Sequence, residues 1–400
     1  MKKIYLDNAA SSFPKAPGVS EAVKYYMDEI GASINRSTYE SAVDAGMTTL
    51  SLRERACRIF SFPQIDHLII TPGATAGLNM LIKGFIQKGD HVLLSSLEHN
   101  AVMRPIHSIA KELFWDRKTE RFIDAADLKY REFASYTRIP YSEKNTMDYE
   151  SIPKLIRKNT KALIMLHASN VSGSLHDIDK VSAICRKYGI DFILDAAQTA
   201  GHYPIDFTKS GLSAMVTPGH KGLLGPQGIG LMFLDPDFAK KLSPLLEGGT
   251  GSASDSEFTP DFMPDKFEPG TPNIPAIYGL EKALEFIEEK GVLSFREHEQ
   301  KLILRFMQAL KTLDHIKILG EEGKEHIGVV SLDFIEQDNA LISSKLADRY
   351  HIMTRCGLHC APNAHKTYGT DTRGSVRFSF GYFNTESDVD YAIKVIREIV

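Results

Sequence analysis

A mostly parallel β-sheet covered by helices on both faces, followed by a smaller α+β domain, is the fold this sequence predicts. Three observations carry the prediction. Short apolar runs alternate with helix-patterned stretches from about residue 67 to residue 234. The texture changes after about residue 275, where two long amphipathic patterns lead into short strand-like runs. A chain of 400 residues is also too long for one small core, so two or three structural units are expected.

The apolar runs are HLIIT (67–71), HVLLSS (91–96), KALIMLHA (161–168), DFILDAA (191–197) and GIGLMFL (228–234). Runs that are apolar throughout, rather than alternating, suit strands buried on both faces. Between them, Ile178, Val181, Ile184, Cys185 and Tyr188 recur at helical spacing and Gly189 follows as a stop, which predicts a helix over 178–188. Strand and helix in alternation imply parallel pairing. Further on, 275–289 and 292–312 read as helices, IKIL, GVVSLDF and SVRFSF as strands, and 386–398 as a closing helix. The stretch 247–273, rich in Gly, Ser, Pro and Asp, reads either as a flexible linker or as an ordered surface loop whose glycines and threonines suit phosphate contact.

Composition narrows the function. Hydrophobic content of 43% and charged content of 24% are ordinary for a soluble globular protein. Lys+Arg 47 against Asp+Glu 51 gives a net charge of −4, which offers no electrostatic reason to expect nucleic acid or an acidic membrane as partner. The opening MKKIYLDNAASSF has no apolar run behind its lysines, so no signal peptide is expected. No apolar segment approaches the roughly 20 residues of a membrane span. Four cysteines form no dense framework, and a reducing, cytoplasmic setting is the natural reading.

In a parallel sheet, ligands bind beyond the carboxyl ends of the strands. Just past those ends lie Gly73-Ala74-Thr75, His99, Ser169-Asn170, Asp195 with Gln198, and Thr217 leading into Gly219-His220-Lys221. A helix start, an imidazole, amides, a carboxylate and a lysine would share one crevice. Pyridoxal phosphate needs that inventory. Its phosphate suits a helix N-terminus with small residues and a hydroxyl, at Ala74 and Thr75. Its ring nitrogen needs a carboxylate, for which Asp195 is the candidate. Asn170 and Gln198 are placed to help at the phenolic oxygen, and His99 suits stacking on the ring. Its aldehyde needs a lysine amine, and Lys221 is the candidate.

The chain resembles the class V aminotransferase family of fold-type I pyridoxal-phosphate enzymes, in the group II cysteine desulfurase / selenocysteine lyase branch. The matching stretches run in the family's order: YLDNAAS (5–11), TPGATAGLN (71–79), EHNAVMRP (98–105), ASNVSG (168–173), LDAAQTAGH (194–202), GHKGLLGPQGIG (219–230), FEPGTPN (267–273), RCGLHCAP (355–362) and VRFSFGYFNT (376–385). The resemblance implies that Lys221 carries the cofactor, His99 stacks on its ring, Asp195 pairs with its nitrogen, and Thr75 and His220 bind it. It implies that Arg377 holds the substrate carboxylate, with Asn170, Arg355 and Arg36 nearby. It places Gly270 and Thr271 against the cofactor phosphate of a second subunit, hence a homodimer. It divides the chain into a large domain, 16–270, and a small domain of 1–15 plus 271–400. The position three before the lysine, where relatives often carry a phosphate-binding hydroxyl, is Pro218 here, and Thr217 stands one further back as its replacement. Asn35-Arg36 stands where many members have His-Arg.

RCGLHCAP resembles the segment with the sulfur-accepting cysteine, and Cys360 is the matching position. The implied reaction converts L-cysteine to L-alanine and leaves the sulfur on Cys360 as a persulfide for an acceptor protein. A selenocysteine lyase, or an aminotransferase or epimerase on another amino acid, is the alternative. Other readings of the same side chains are a metal site from Cys356, His359, Cys360 and His365, a Cys356–Cys360 disulfide, or a buried structural cysteine. Cys57 and Cys185 fall on apolar helix faces and read as core. The stretch 114–134, with the one tryptophan at Trp115, reads as a solvated insertion or as a docking surface or lid for a sulfur acceptor.

Overall fold

A computed structural model describes residues 3–34, 38–116, 121–123, 133–142, 146–320 and 326–400. Its centre is an eight-stranded sheet in the order Leu68–Thr71, Gly230–Leu234, Ala214–Pro218, Asp191–Asp195, Thr160–Leu166, His91–Ser95, Ala134–Ile139, Ala110–Glu112. All neighbours are parallel except Gly230–Leu234, which runs antiparallel to both of its partners. The reason is chain length: only a short glycine-rich loop separates it from Ala214–Pro218, and a parallel return needs a long crossover.

Alternate residues of each strand enter different cores. Leu163, Phe192, Leu194, Met215 and Phe233 pack into one cluster, and Ile164, Ile193, Val216 and Met232 into the other. Both faces are covered, and that is why these strands read as unbroken apolar runs. The helix Ile178–Tyr188 has the predicted bounds; Asp177 caps it by accepting from the Lys180 amide at 3.0 Å, and Gly189 ends it at φ 64°. That left-handed stop is a normal use of glycine.

The C-terminal part holds a four-stranded antiparallel sheet, Ile316–Leu319, Val329–Phe334, Ser375–Ser379, Arg355–Gly357. The helices Val292–Leu310 and Glu386–Ile399 cover it through Leu302, Phe306, Val389 and Ile396. Ile4–Tyr5 pairs with Ile352–Met353, which brings the first residues to this part of the molecule. Among the described residues no helix is long and apolar enough to cross a membrane.

Three features differ from the sequence reading or add to it. The 20-residue helix Glu40–Ile59, not anticipated, places Arg55 against Glu281, Glu285 and Glu288 of the helix Ile274–Lys290. The segment 247–273 is ordered: Glu268 takes a bidentate contact from the buried Arg53 at 2.7 Å, and the Gly270 amide donates to Gly249 at 2.7 Å. The beginning of the 114–134 stretch is structured, with Phe114 exposed and Trp115 turned inward. Phe114–Asp116 pairs with Arg121–Ile123, and Trp115 packs on the main core with Phe122 edge-on to it at 5.0 Å; most of the remainder of that stretch lies outside the described residues.

The glycines around Lys221 answer to packing. A Cβ on Gly222 would lie 2.3 Å from the His202 ring and 2.4 Å from the Ala200 carbonyl. Gly222→Ala is therefore expected to destabilise the protein by about 1–3 kcal/mol. Denaturant titration checks this, and an unchanged midpoint would show that the loop moves aside at no cost.

Candidate active site

The carboxyl ends of the parallel strands open onto a cavity of about 640 Å³. Its wall includes Ala74, Thr75, His99, Asn170, Asp195, Gln198, His220 and Lys221, so most of the predicted cofactor residues meet in one place. Each arrives by the same logic: a strand ends, and the next turn presents a polar group. Asp195 is the last residue of its strand. His99 caps the helix Asn100–Ile109, and its Nδ1 accepts from the Ala101 amide at 3.0 Å. Nδ1 is thereby the unprotonated nitrogen, and Nε2 carries the proton of the neutral ring. The helix Ala74–Phe85 starts at Gly73, whose φ of 147° is a conformation for glycine. Across the sheet, a Cβ on Gly230 would come within 2.8 Å of the Gly73 Cα. The first N–H groups of such a helix have no partner within it and suit an anion.

The electrostatics follow from burial. Burial pulls the Lys221 ammonium down to about 8; Asp195 opposes the shift, and Arg377 and Arg355 add to it. Burial pushes the Asp195 carboxyl up, against the Ala197 amide, which donates to it at 2.9 Å, and against the Lys221 charge. Burial also lowers His99 to about 4 and His220 to about 4, with Lys221 the next cause in each. Both imidazoles are neutral at pH 7.

Several buried polar atoms have no partner here: Asn170 Oδ1, His220 Nδ1 and Arg377 Nε. Such atoms cost about 1–3 kcal/mol each unless something answers them. Gln198 donates to the Ala9 carbonyl at 3.0 Å, which fixes its amide in the wall. The residues fit pyridoxal phosphate: a helix N-terminus for its phosphate, Asp195 for its ring nitrogen, His99 for its face, Lys221 for its aldehyde.

Arg377 and Arg355 stand outside the cavity wall, side by side in the antiparallel sheet. Arg377 is buried; its Nη2 donates to Asp7 at 2.9 Å and its Nη1 to the Asn170 carbonyl at 3.1 Å. The free Nε edge is what remains for a substrate carboxylate. Arg377→Lys is expected to raise KM for a carboxylate-bearing amino-acid substrate at least about tenfold with a smaller change in kcat. Steady-state kinetics decide this, and an unmoved KM would remove Arg377 from substrate binding.

Cys360 is exposed and lies in the wall of a smaller adjoining groove with Thr75 and His99. His359 and Cys360 have φ of 48° and 57°, left-handed values that cost roughly 1–2 kcal/mol for each such residue. The fold holds them there: Asn170 donates to the His359 carbonyl at 2.6 Å, the Asn100 amide to the Cys360 carbonyl at 2.8 Å, and Asn363 to the Ser96 carbonyl at 2.7 Å. All four cysteines are free, so Cys356 and Cys360 form no disulfide. Among the described residues no cluster of three His, Cys, Asp or Glu side chains is arranged to hold a metal.

Thr217 is placed differently from expectation. It is buried outside the cavity wall and its hydroxyl donates to the Pro218 carbonyl at 3.4 Å. Gly270 and Thr271 are exposed and away from this cavity. Arg36 lies outside the described residues. The sequence reading gave no role to Asp7, although YLDNAAS was among its matching stretches; its partner is 370 residues away. It also missed the His202–Glu299 pair at 2.7 Å behind the Lys221 loop. Only the helix register of Glu299 hinted at that pair.

The aminotransferase class-V family model matches residues 4–115 and 121–392. A probable cysteine desulfurase from Borreliella burgdorferi is 29% identical, covering 99% of this chain and 92% of that protein. One from Methanothermobacter thermautotrophicus is 27% identical, covering 99% and 94%. The solved apo structure of a cysteine desulfurase from Thermococcus onnurineus NA1 superposes with a TM-score of 0.88 at 27% identity, covering 100% of this chain and 94% of the other.

Proposed function

The chain belongs to the aminotransferase class-V family, and on that premise we propose that it is a pyridoxal-phosphate-dependent cysteine desulfurase that releases L-alanine and keeps the sulfur on Cys360. One observation carries the reading. An exposed thiol, Cys360, lines a groove that shares Thr75 and His99 with the cavity where Lys221 and Asp195 meet. A transaminase has no use for that thiol.

Held by Lys221, Asp195, His99, Thr75 and His220, the cofactor supplies an electron sink for the pair left when the substrate loses its α-proton. The protein does the rest. Arg377 orients the carboxylate through its free edge, and Asp7 holds Arg377 in place. Lys221, with its proton affinity lowered to about 8, takes up and returns protons near neutral pH. His99 closes one face of the cavity against water. Cys360 thiolate attacks the substrate sulfur; the new S–S bond forms as the carbon–sulfur bond breaks, the bond pair stays on the substrate carbon, which is protonated on the way to alanine, and the persulfide stays on the protein.

The active unit is a homodimer in this reading. Phe258 is 86% and Met27 67% exposed, and large apolar side chains so exposed suit a second copy; Gly270 and Thr271 would then face the partner's cavity. The free cysteines suit a reducing cytoplasm.

The test is to give the holoprotein L-cysteine, assay alanine, and map protein-bound sulfane sulfur to a peptide. Alanine with sulfur on the Cys360 peptide supports the reading. A cofactor-bound protein that makes no alanine from L-cysteine or L-selenocysteine is not a desulfurase, and transamination becomes the reaction to assay.

A further inference from the structure

The groove beside the main cavity has a volume of about 370 Å³ and lies between the helices Ala74–Phe85 and Asn100–Ile109. It adjoins the cavity: Thr75, Asn79, His99 and Ala101 line both. Cys360 stands in its wall. Two further charged residues line it, Lys83 and Arg104, both exposed, and its lining contains no Asp or Glu. The charge of Arg104 reaches His99, where the two spaces join. The protein as a whole is acidic, at −4, so a groove that ends at a thiol and whose charged side chains, Lys83 and Arg104, are both cationic is a local inversion of the surface.

We propose that this groove admits a small anionic thiol, one carrying carboxylates near its sulfur, as the acceptor that takes the sulfur from Cys360. A volume of this size suits a small molecule. A positive approach favours an anion and raises the local thiolate concentration. The step balances without an added oxidant. The acceptor thiolate attacks the outer sulfur of the Cys360 persulfide. A sulfur–sulfur bond to the acceptor forms, the bond to Cys360 breaks, and Cys360 leaves with the electron pair as thiolate. The acceptor departs as its own persulfide. The inference takes its sulfur source from the desulfurase reading.

The experiment follows loss of protein-bound sulfane sulfur from the cysteine-loaded holoenzyme on adding mercaptosuccinate, 2-mercaptoethanol or cysteamine. Wild type is compared with the double variant Lys83→Glu/Arg104→Glu. Each thiol is its own control, so differences in thiol pKa cancel. The variant is expected to slow mercaptosuccinate about tenfold, to leave 2-mercaptoethanol within about twofold, and to speed cysteamine. Added salt is expected to slow mercaptosuccinate in the wild type alone. A second arm needs no desulfurase activity: Cys360 is labelled as a mixed disulfide with nitrothiobenzoate in a Cys356→Ser background, and label release by the same thiols is timed. The same charge order there supports the groove even if L-cysteine yields no alanine. A variant that slows all three thiols alike, or none, in that arm overturns the proposal whatever the enzyme does with cysteine.

Discussion

Lys221→Ala is expected to leave a folded protein with no measurable release of alanine from L-cysteine, a loss of more than about 10⁴-fold. Lys221 has two tasks, holding the cofactor and moving the α-proton, and in the cavity wall Asp195, His99 and His220 offer no second amine. Spectroscopy separates the tasks: the variant should lack the lysine-bound chromophore while the far-UV circular dichroism stays that of wild type. Activity surviving within tenfold would mean that another base works at the substrate.

The same lysine makes a prediction for stability. Its folded-state value is about 8 against the ordinary 10.5. The folded state therefore binds this proton less well than the unfolded chain. The resulting penalty on the cofactor-free protein is fully present below pH 8, shrinks as pH rises toward 10.5, and is gone above that. Lys221→Met should stabilise cofactor-free protein at pH 7 by up to about 3 kcal/mol, with the gain vanishing near the alkaline end of that window. Denaturant midpoints of both proteins across this range provide the check. A gain that is the same at every pH would point to packing rather than to charge.

Cys360→Ala is the second large effect. Alanine release from L-cysteine should fall more than about 10²-fold, and alanine release from L-selenocysteine should stay within about threefold, because the weaker carbon–selenium bond breaks without a thiolate to receive the selenium. Folding is not at issue, since the Cys360 side chain is exposed and what clamps this loop is backbone: the carbonyls of His359, Cys360 and Ser96 accept its hydrogen bonds. The left-handed φ of 57° at Cys360 is a strain that alanine shares. Equal loss on both substrates would assign Cys360 to general catalysis; no loss on cysteine would end the persulfide reading.

Much of the site was legible because its residues follow strands. A strand buried on both faces is apolar throughout, so the polar residues at its end and in the turn that follows stand out. Asp195, His99, Asn170 and Lys221 are among them, and the cavity wall contains all four. Thr217 lies inside its strand Ala214–Pro218, outside the cavity wall, and its hydroxyl donates to the neighbouring Pro218 carbonyl. The glycines near Lys221 serve close packing: Gly222 and Gly230 leave room for His202 and Gly73.

The sequence by itself determined the alternation of strand and helix, the residues that leave each strand end, and the thiol with its flanking motif. These are local properties, fixed by periodicity and by which groups tolerate burial. Only the tertiary structure decided that Asp7 pairs with Arg377, that Asn170 clamps the Cys360 loop through the His359 carbonyl, and that Lys83 and Arg104 share a groove with that thiol. Each joins residues at least 21 positions apart, and most join different elements of the fold. No spacing in the chain encodes such contacts, because they come from how separate elements pack together and not from how any one segment folds.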